Sequence, residues 1–202
     1  MQAGESEVPI VEDLTISLAR ANVLVGITTL PLVGLLLVLY RLLSVAAAGR
    51  ADTPTLGAVV GLLVAVAPGI LVHEAIHGVA WRAFGRLGRG RVEFGFQRST
   101  LTPYAHALDP MPAAAYRLGA VLPALFLGVA PYAAGIVLGN LPLALFGILF
   151  IAAAGGDFLV LWLLRNVDGR AMVQDHPSRA GCLVLPSSGE GTQGNQPRDR
   201  RE

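Results

Sequence analysis

Thr55 to Trp81 reads TLGAVVGLLVAVAPGILVHEAIHGVAW. The run is longer than the roughly 20 apolar residues that a helix needs to cross a bilayer. Its only ionisable side chains are His73, Glu74 and His77. A charge at the centre of a membrane span costs on the order of a few kcal/mol, so such groups persist where they face a partner or a wet cavity. This stretch therefore predicts a membrane-spanning helix with one polar face. Pro68-Gly69, one turn before the histidines, is expected to loosen the helix there.

Three further runs pass the same length test: about Asn22 to Ala48, Tyr116 to Leu138, and Leu141 to Leu164. Only Gly139 and Asn140 separate the last two, which predicts a tight helical hairpin with Pro142 just inside the second helix. The loop from Arg82 to Ala115 has a different pattern. Val92 to Gln97 alternates apolar and polar residues, the period of a strand. Ser99 to Tyr104 reads as a second short strand ended by Pro103. The expected fold class is an all-α membrane protein with four transmembrane helices and a short β-hairpin-like loop between helices two and three.

Composition agrees. The 202 residues are 53% hydrophobic and 14% charged, against about a quarter charged in an ordinary soluble domain. A net charge of +1 argues against a nucleic-acid partner. A single cysteine, Cys182, excludes an internal disulfide and a cysteine-rich metal site, and it is expected to be inert. The domain reading is a polar N-terminal segment over 1–20, a membrane-embedded domain over 21–185 and a disordered tail over 186–202. Arginines set the expected orientation. Arg82, Arg86, Arg89, Arg91 and Arg98 follow helix two, Arg165, Arg170 and Arg179 follow helix four, and the turn between helices three and four has none. The positive-inside rule then places the middle loop and both termini in the cytoplasm of a multi-pass cell-membrane protein.

His73-Glu74-Ala75-Ile76-His77 has the form H-E-x-x-H. Residues four apart share a helix face, so both imidazoles can reach one metal ion. Zinc accepts imidazole nitrogen and in catalytic sites keeps a position for water. Glu74 is then the general base. A third protein ligand is expected, and the candidates are Asp157, His106, Asp109, Asp175 and His176. Counting along helices from Arg82 and Arg165, His73, His77 and Asp157 lie roughly 13, 7 and 12 Å inside the same membrane face. Depth favours Asp157, and Gly155 and Gly156 beside it permit close helix approach. His106 is the rival, folding back from the loop. Asp175-His176-Pro177 reads as a turn beyond the last helix.

These residues resemble the site-2 protease class of intramembrane zinc metalloproteases. In that class H-E-x-x-H lies in one membrane helix, a β-rich segment follows, and an aspartate in a later helix completes the zinc site. The chain is also similar, from about Leu71 to Leu185, to a family of prokaryotic membrane proteins described as zincin peptidases. The matching pieces are His73 to Gly78, the third helix with Pro123, Gly156-Asp157, and Asp175-His176-Pro177 with Gly181. Site-2 proteases show an Asp-Gly pair at the third ligand, whereas here the glycines precede the aspartate. The resemblance implies a zinc-dependent metalloendopeptidase acting on a polypeptide, with the lipid bilayer as its other partner. An extended substrate would align along the Val92 to Gln97 edge strand. The alternatives are a non-catalytic metal-binding membrane scaffold or regulator, and a metal carrier.

Overall fold

The structure is a computed structural model, and it describes residues 10–48, 54–88, 90–97 and 102–186. Most of the expected tail lies outside the described residues, as do the start of the N-terminal segment and the connection 98–101.

Among the described residues, three helical stretches are long and apolar enough to cross a membrane. Helix α1 spans Leu18–Ala48, and α2 spans Leu56–Phe84. The third stretch is composite: α3 (Ala113–Pro123), a π-helical segment (Ala124–Val129) and α4 (Ala130–Leu138). Pro131 follows the π segment; a proline has no N–H for the carbonyl four residues back, and a widened turn accommodates its ring. A fourth crossing exists only if α5 (Leu141–Ala153) and α6 (Gly155–Leu163) count as one span, and these two are bent by 40°. The unbroken helix expected over Leu141 to Leu164 is thus interrupted at Ala154.

Helices α4 and α5 form the expected hairpin. Gly139 closes α4 at φ 66°, in the left-handed region that glycine enters without penalty. The Asn140 side chain accepts the Leu143 amide at 2.9 Å and caps α5. The two helices touch through glycine: a Cβ on Gly135 would lie 2.5 Å from the Ala144 nitrogen, and one on Gly147 2.5 Å from the Tyr132 nitrogen.

Helix α2 runs without interruption through Pro68. The expectation that Pro68-Gly69 loosens the helix is replaced by a packing role, since a Cβ on Gly69 would meet Phe150 Cζ at 2.5 Å.

The strands are the main departure from an all-α reading. Strand β2 (Val92–Gln97) pairs antiparallel with β3 (Thr102–Ala107). The second strand therefore continues through Pro103 to Ala107, past its expected end, and the first residues expected for it, 99–101, lie outside the described residues. In a two-stranded sheet every strand has a free edge, which is where a residue lacking an N–H is tolerated. A separate four-stranded antiparallel sheet has the order β1-β6-β5-β4. It comprises β1 (Glu12–Ile16), β4 (Met111–Pro112), β5 (Met172–Asp175) and β6 (Ala180–Leu185). Strand β1 comes from the polar N-terminal segment and pairs with β6 in the register Glu12↔Val184 to Ile16↔Ala180. Gly181 makes this possible: its φ is +118°, and a Cβ there would sit 2.1 Å from the Leu14 carbonyl oxygen.

A buried cluster joins this sheet to the helices. Trp81 from α2, Tyr116 from α3, Leu164 after α6, Met111 and Val173 from β4 and β5, and Cys182 from β6 pack together. Arg117 reinforces the junction by donating to the Leu164 and Val167 carbonyls at 3.3 and 2.9 Å, groups that the end of α6 leaves without helical partners.

Candidate metal centre

The 3.6-residue period of α2 sets His73 and His77 on one face, and both are buried, at 6% and 3% exposure. Asp157 arrives from α6. The break at Ala154 starts a new helix at Gly155, so Asp157 lies in its first turn, where unpaired amides favour a negative charge. Gly155 lets α6 approach α1, since a Cβ there would be 2.6 Å from Val25 Cγ1; Gly156 has nothing within 4 Å.

The aspartate bridges the two histidines. His73 Nε2 lies 3.2 Å from Asp157 Oδ2, and His77 Nε2 lies 3.4 Å from Oδ1. One ligand atom from each of the three residues falls within 4.8 Å of the other two. On the far side of its ring, His77 Nδ1 is 3.1 Å from the Gly119 carbonyl. A carbonyl only accepts, so Nδ1 carries the proton, and in the neutral ring the Nε2 lone pair points at a carboxylate oxygen. Two acceptors facing each other repel unless a cation or a proton lies between them. Tautomer selection by a carbonyl behind the ring is the usual arrangement for a metal-ligating histidine. This donor set, two imidazole nitrogens and a carboxylate, fits zinc.

Aromatic rings wall the site. His77 stacks on Trp81 at 5.1 Å, and Trp81 stacks on Tyr116 at 5.1 Å. Trp81 Nε1 donates to the Tyr116 carbonyl at 3.2 Å. Phe150 lies against His73 at 6.3 Å. Three glycines make room: Gly69 for Phe150, Gly78 for Phe94 and Gly119 for Trp81. His73 Nδ1 is buried and has no hydrogen-bond partner among the described residues.

Glu74 is half-buried on the wall of a cavity of about 810 Å³, which His73, His77 and Asp157 also line. Ala105 of β3 lines the same cavity. The opposite wall includes His106, Asp175 and the turn from His176 to Gly181.

The other candidates sit elsewhere. His106 stands outside the converging group, with Nδ1 3.6 Å from Asp175 Oδ2. Asp109 pairs with Arg91 on the exposed surface. Asp175-His176-Pro177 forms the expected turn, between β5 and β6; His176 Nδ1 accepts the Ser178 and Arg179 amides at 3.1 Å. Asp175 is more than a turn residue. It accepts from Tyr116 Oη at 2.5 Å and from the Ala107 amide at 2.8 Å. Cys182 is buried against it, and burial pushes its thiol far up, so it carries no thiolate. The Gly119 carbonyl is a backbone group, and a sequence offers no sign of it.

The model of a family described as "Putative zincin peptidase" matches residues 66–172, more than half of the chain. The chain belongs to that family. The region shared with the zincin peptidase family includes His73, Glu74, His77 and Asp157, and it ends at Met172, before Asp175. No curated protein matches the chain, and no solved structure does. Membership makes a zinc metallopeptidase the coarse reading, and the three converging side chains can hold the metal that the family name implies.

Proposed function

We propose that this protein is a membrane-embedded zinc metallopeptidase that hydrolyses peptide bonds of membrane or membrane-proximal proteins. The observation that carries the reading is the placement of two imidazole nitrogens against one carboxylate, with Gly119 holding the His77 proton on the far nitrogen.

In this reading His73, His77 and Asp157 hold the zinc. When bound, the metal polarises the scissile carbonyl and makes water a better nucleophile. Glu74 takes a proton from the attacking water as its oxygen adds to the carbonyl carbon. It returns that proton to the amide nitrogen as the C–N bond breaks and nitrogen keeps the electron pair. Pro103 to His106 of β3 line the cavity together with Glu74, so an extended substrate is best placed beside β3. The likeness to site-2 proteases rests on the motif residues and supports cleavage near or within the membrane. The arginine pattern supports a multi-pass topology with both termini cytoplasmic.

The first test is zinc content of the detergent-purified full chain. About one zinc per chain is expected for the wild type, and loss of it in His73→Ala, His77→Ala and Asp157→Ala. Glu74→Gln should keep its zinc and lose cleavage of labelled casein. Zinc bound equally by all variants would reject the site. A zinc-loaded wild type that cuts nothing, with Glu74→Gln unchanged in cells, would favour the non-catalytic scaffold.

A further inference from the structure

One face of the β2–β3 hairpin looks into the cavity. Cross-strand partners in an antiparallel pair point their side chains the same way. Glu93 stands opposite His106, and Gly95 opposite Tyr104. Glu93, Tyr104 and His106 all line the cavity that holds His73, Glu74 and His77. The charged groups around Glu93 are engaged elsewhere. His106 turns Nδ1 to Asp175 Oδ2 at 3.6 Å. Arg179, the one arginine of the cavity lining, donates to Thr15 Oγ1 at 2.6 Å and to the Thr15 carbonyl at 3.1 Å. Glu93 is exposed, and among the described residues no cation pairs with it. Asp157 faces the two histidines, Asp175 is held by Tyr116 and the Ala107 amide, and Glu74 is the proposed base. Glu93 is thus the one carboxylate of this lining with neither a partner nor a part in the proposed hydrolysis.

The ladder says what can reach it. Leu108 donates to the Arg91 carbonyl at 3.0 Å. The alternation of antiparallel bonds then turns the Ala105 N–H and C=O away from β2, toward the side where the substrate strand is placed. Neighbouring strands lie about 4.8 Å apart, so such a strand runs roughly 10 Å from β2. A short side chain does not cross that width. Lysine and arginine do, because a long apolar stem lies along the surface and ends in a cation. Tyr104 offers that stem an aromatic surface. Its ring lies across Gly95, where a Cβ would collide with it, and an aromatic face attracts a cation.

We infer that Glu93 is a specificity-determining residue, whose carboxylate takes a lysine or arginine side chain that reaches over β3 from the substrate strand. The inference rests on the peptidase reading.

The test uses the zinc-loaded full chain. The segment of labelled casein that the wild type cuts is resynthesised with Lys, Gln or Glu walked along it. At one position of the walk, kcat/KM for the Lys peptide is expected to exceed that for the Gln peptide about fivefold. High salt should shrink this ratio. Glu93→Gln should bring it to about one, and Glu93→Lys should invert the preference toward the Glu peptide. Both variants should keep their zinc. A merely structural role would not invert a charge preference. A Lys to Gln ratio that Glu93→Lys leaves unchanged, or no Lys preference at any position, would overturn the inference and leave the peptidase reading standing. Loss of zinc from both variants would overturn it too, by making Glu93 part of the metal-binding structure. A zinc-loaded wild type that cuts neither casein nor any peptide removes the peptidase reading, and this inference falls with it.

Discussion

At the scale of single residues, the histidines and Glu74 were legible because helical periodicity is a property of neighbouring positions. The third partner was legible through depth: two helices counted from their arginine ends bring Asp157 level with His73, and the structure places their side chains 3.2 Å apart. His106 could not be placed that way, because a loop has no fixed rise per residue. Gly119 carries no side chain to read, yet its carbonyl holds His77, and a Cβ there would meet Trp81 Cδ1 at 2.3 Å. Gly119→Ala is expected to push Trp81 into His77, costing about 1–3 kcal/mol as overpacking and weakening zinc binding. Melting temperature and zinc titration check this, and a fully zinc-competent variant counts against it. Asp175 gives a pH signature. Burial pushes its carboxyl above the usual 3.8, against the opposing pull of Tyr116, the Ala107 amide, His106 and Cys182. A carboxyl raised in the folded state holds its proton more tightly there than in the unfolded chain. Its contribution to stability is complete below the usual value and is lost as pH rises through the folded value. As pH rises above about 4, melting temperature should therefore decline more for wild type than for Asp175→Asn; parallel curves would remove the assignment.

At the scale of elements, the span lengths followed from hydropathy, but the break at Ala154 did not. The sequence marks weakness there with Gly155-Gly156, and small residues can equally serve an unbroken helix that packs closely. What distinguishes the two glycines is their surroundings. Gly155 faces Val25 and Thr29 of α1, at 2.6 and 3.0 Å from a hypothetical Cβ, while Gly156 faces open space. This gives a controlled pair. Alanine raises helix propensity at either position by about the same 1 kcal/mol, so a difference between the variants reports the contact alone. Gly156→Ala is expected to keep its zinc and to raise its melting temperature. Gly155→Ala should move α6 off α1, shift Asp157 and lower zinc occupancy. Equal behaviour of the two would mean that the α1 contact does not set the position of Asp157.

At the scale of the whole molecule, the four-stranded sheet stayed hidden because its strands are short and its pairing is non-local. Strand β1 finds its partner near the other end of the chain, and no local window contains both halves of that pattern. Arg179 strengthens the join by donating to Thr15 Oγ1 at 2.6 Å and to the Thr15 carbonyl at 3.1 Å. Deleting the chain through Ile16 is expected to bare the β6 edge and free the turn that holds Arg179. Zinc content should stay near wild type while proteolysis of the β5–β6 turn quickens; an unchanged digestion pattern would show that β1 adds nothing there.

The pairing of β1 with β6 also sets a timetable. Strand β1 leaves the ribosome before the described helices, and β6 leaves it after them. The turn that completes the cavity wall, His176 to Gly181, is likewise among the last described parts of the chain to be made. A nascent chain with every membrane helix already in place still lacks one side of that cavity. Closure waits for translation to pass β6, so, on the proposed reading, a half-made copy has no finished site with which to cut its neighbours.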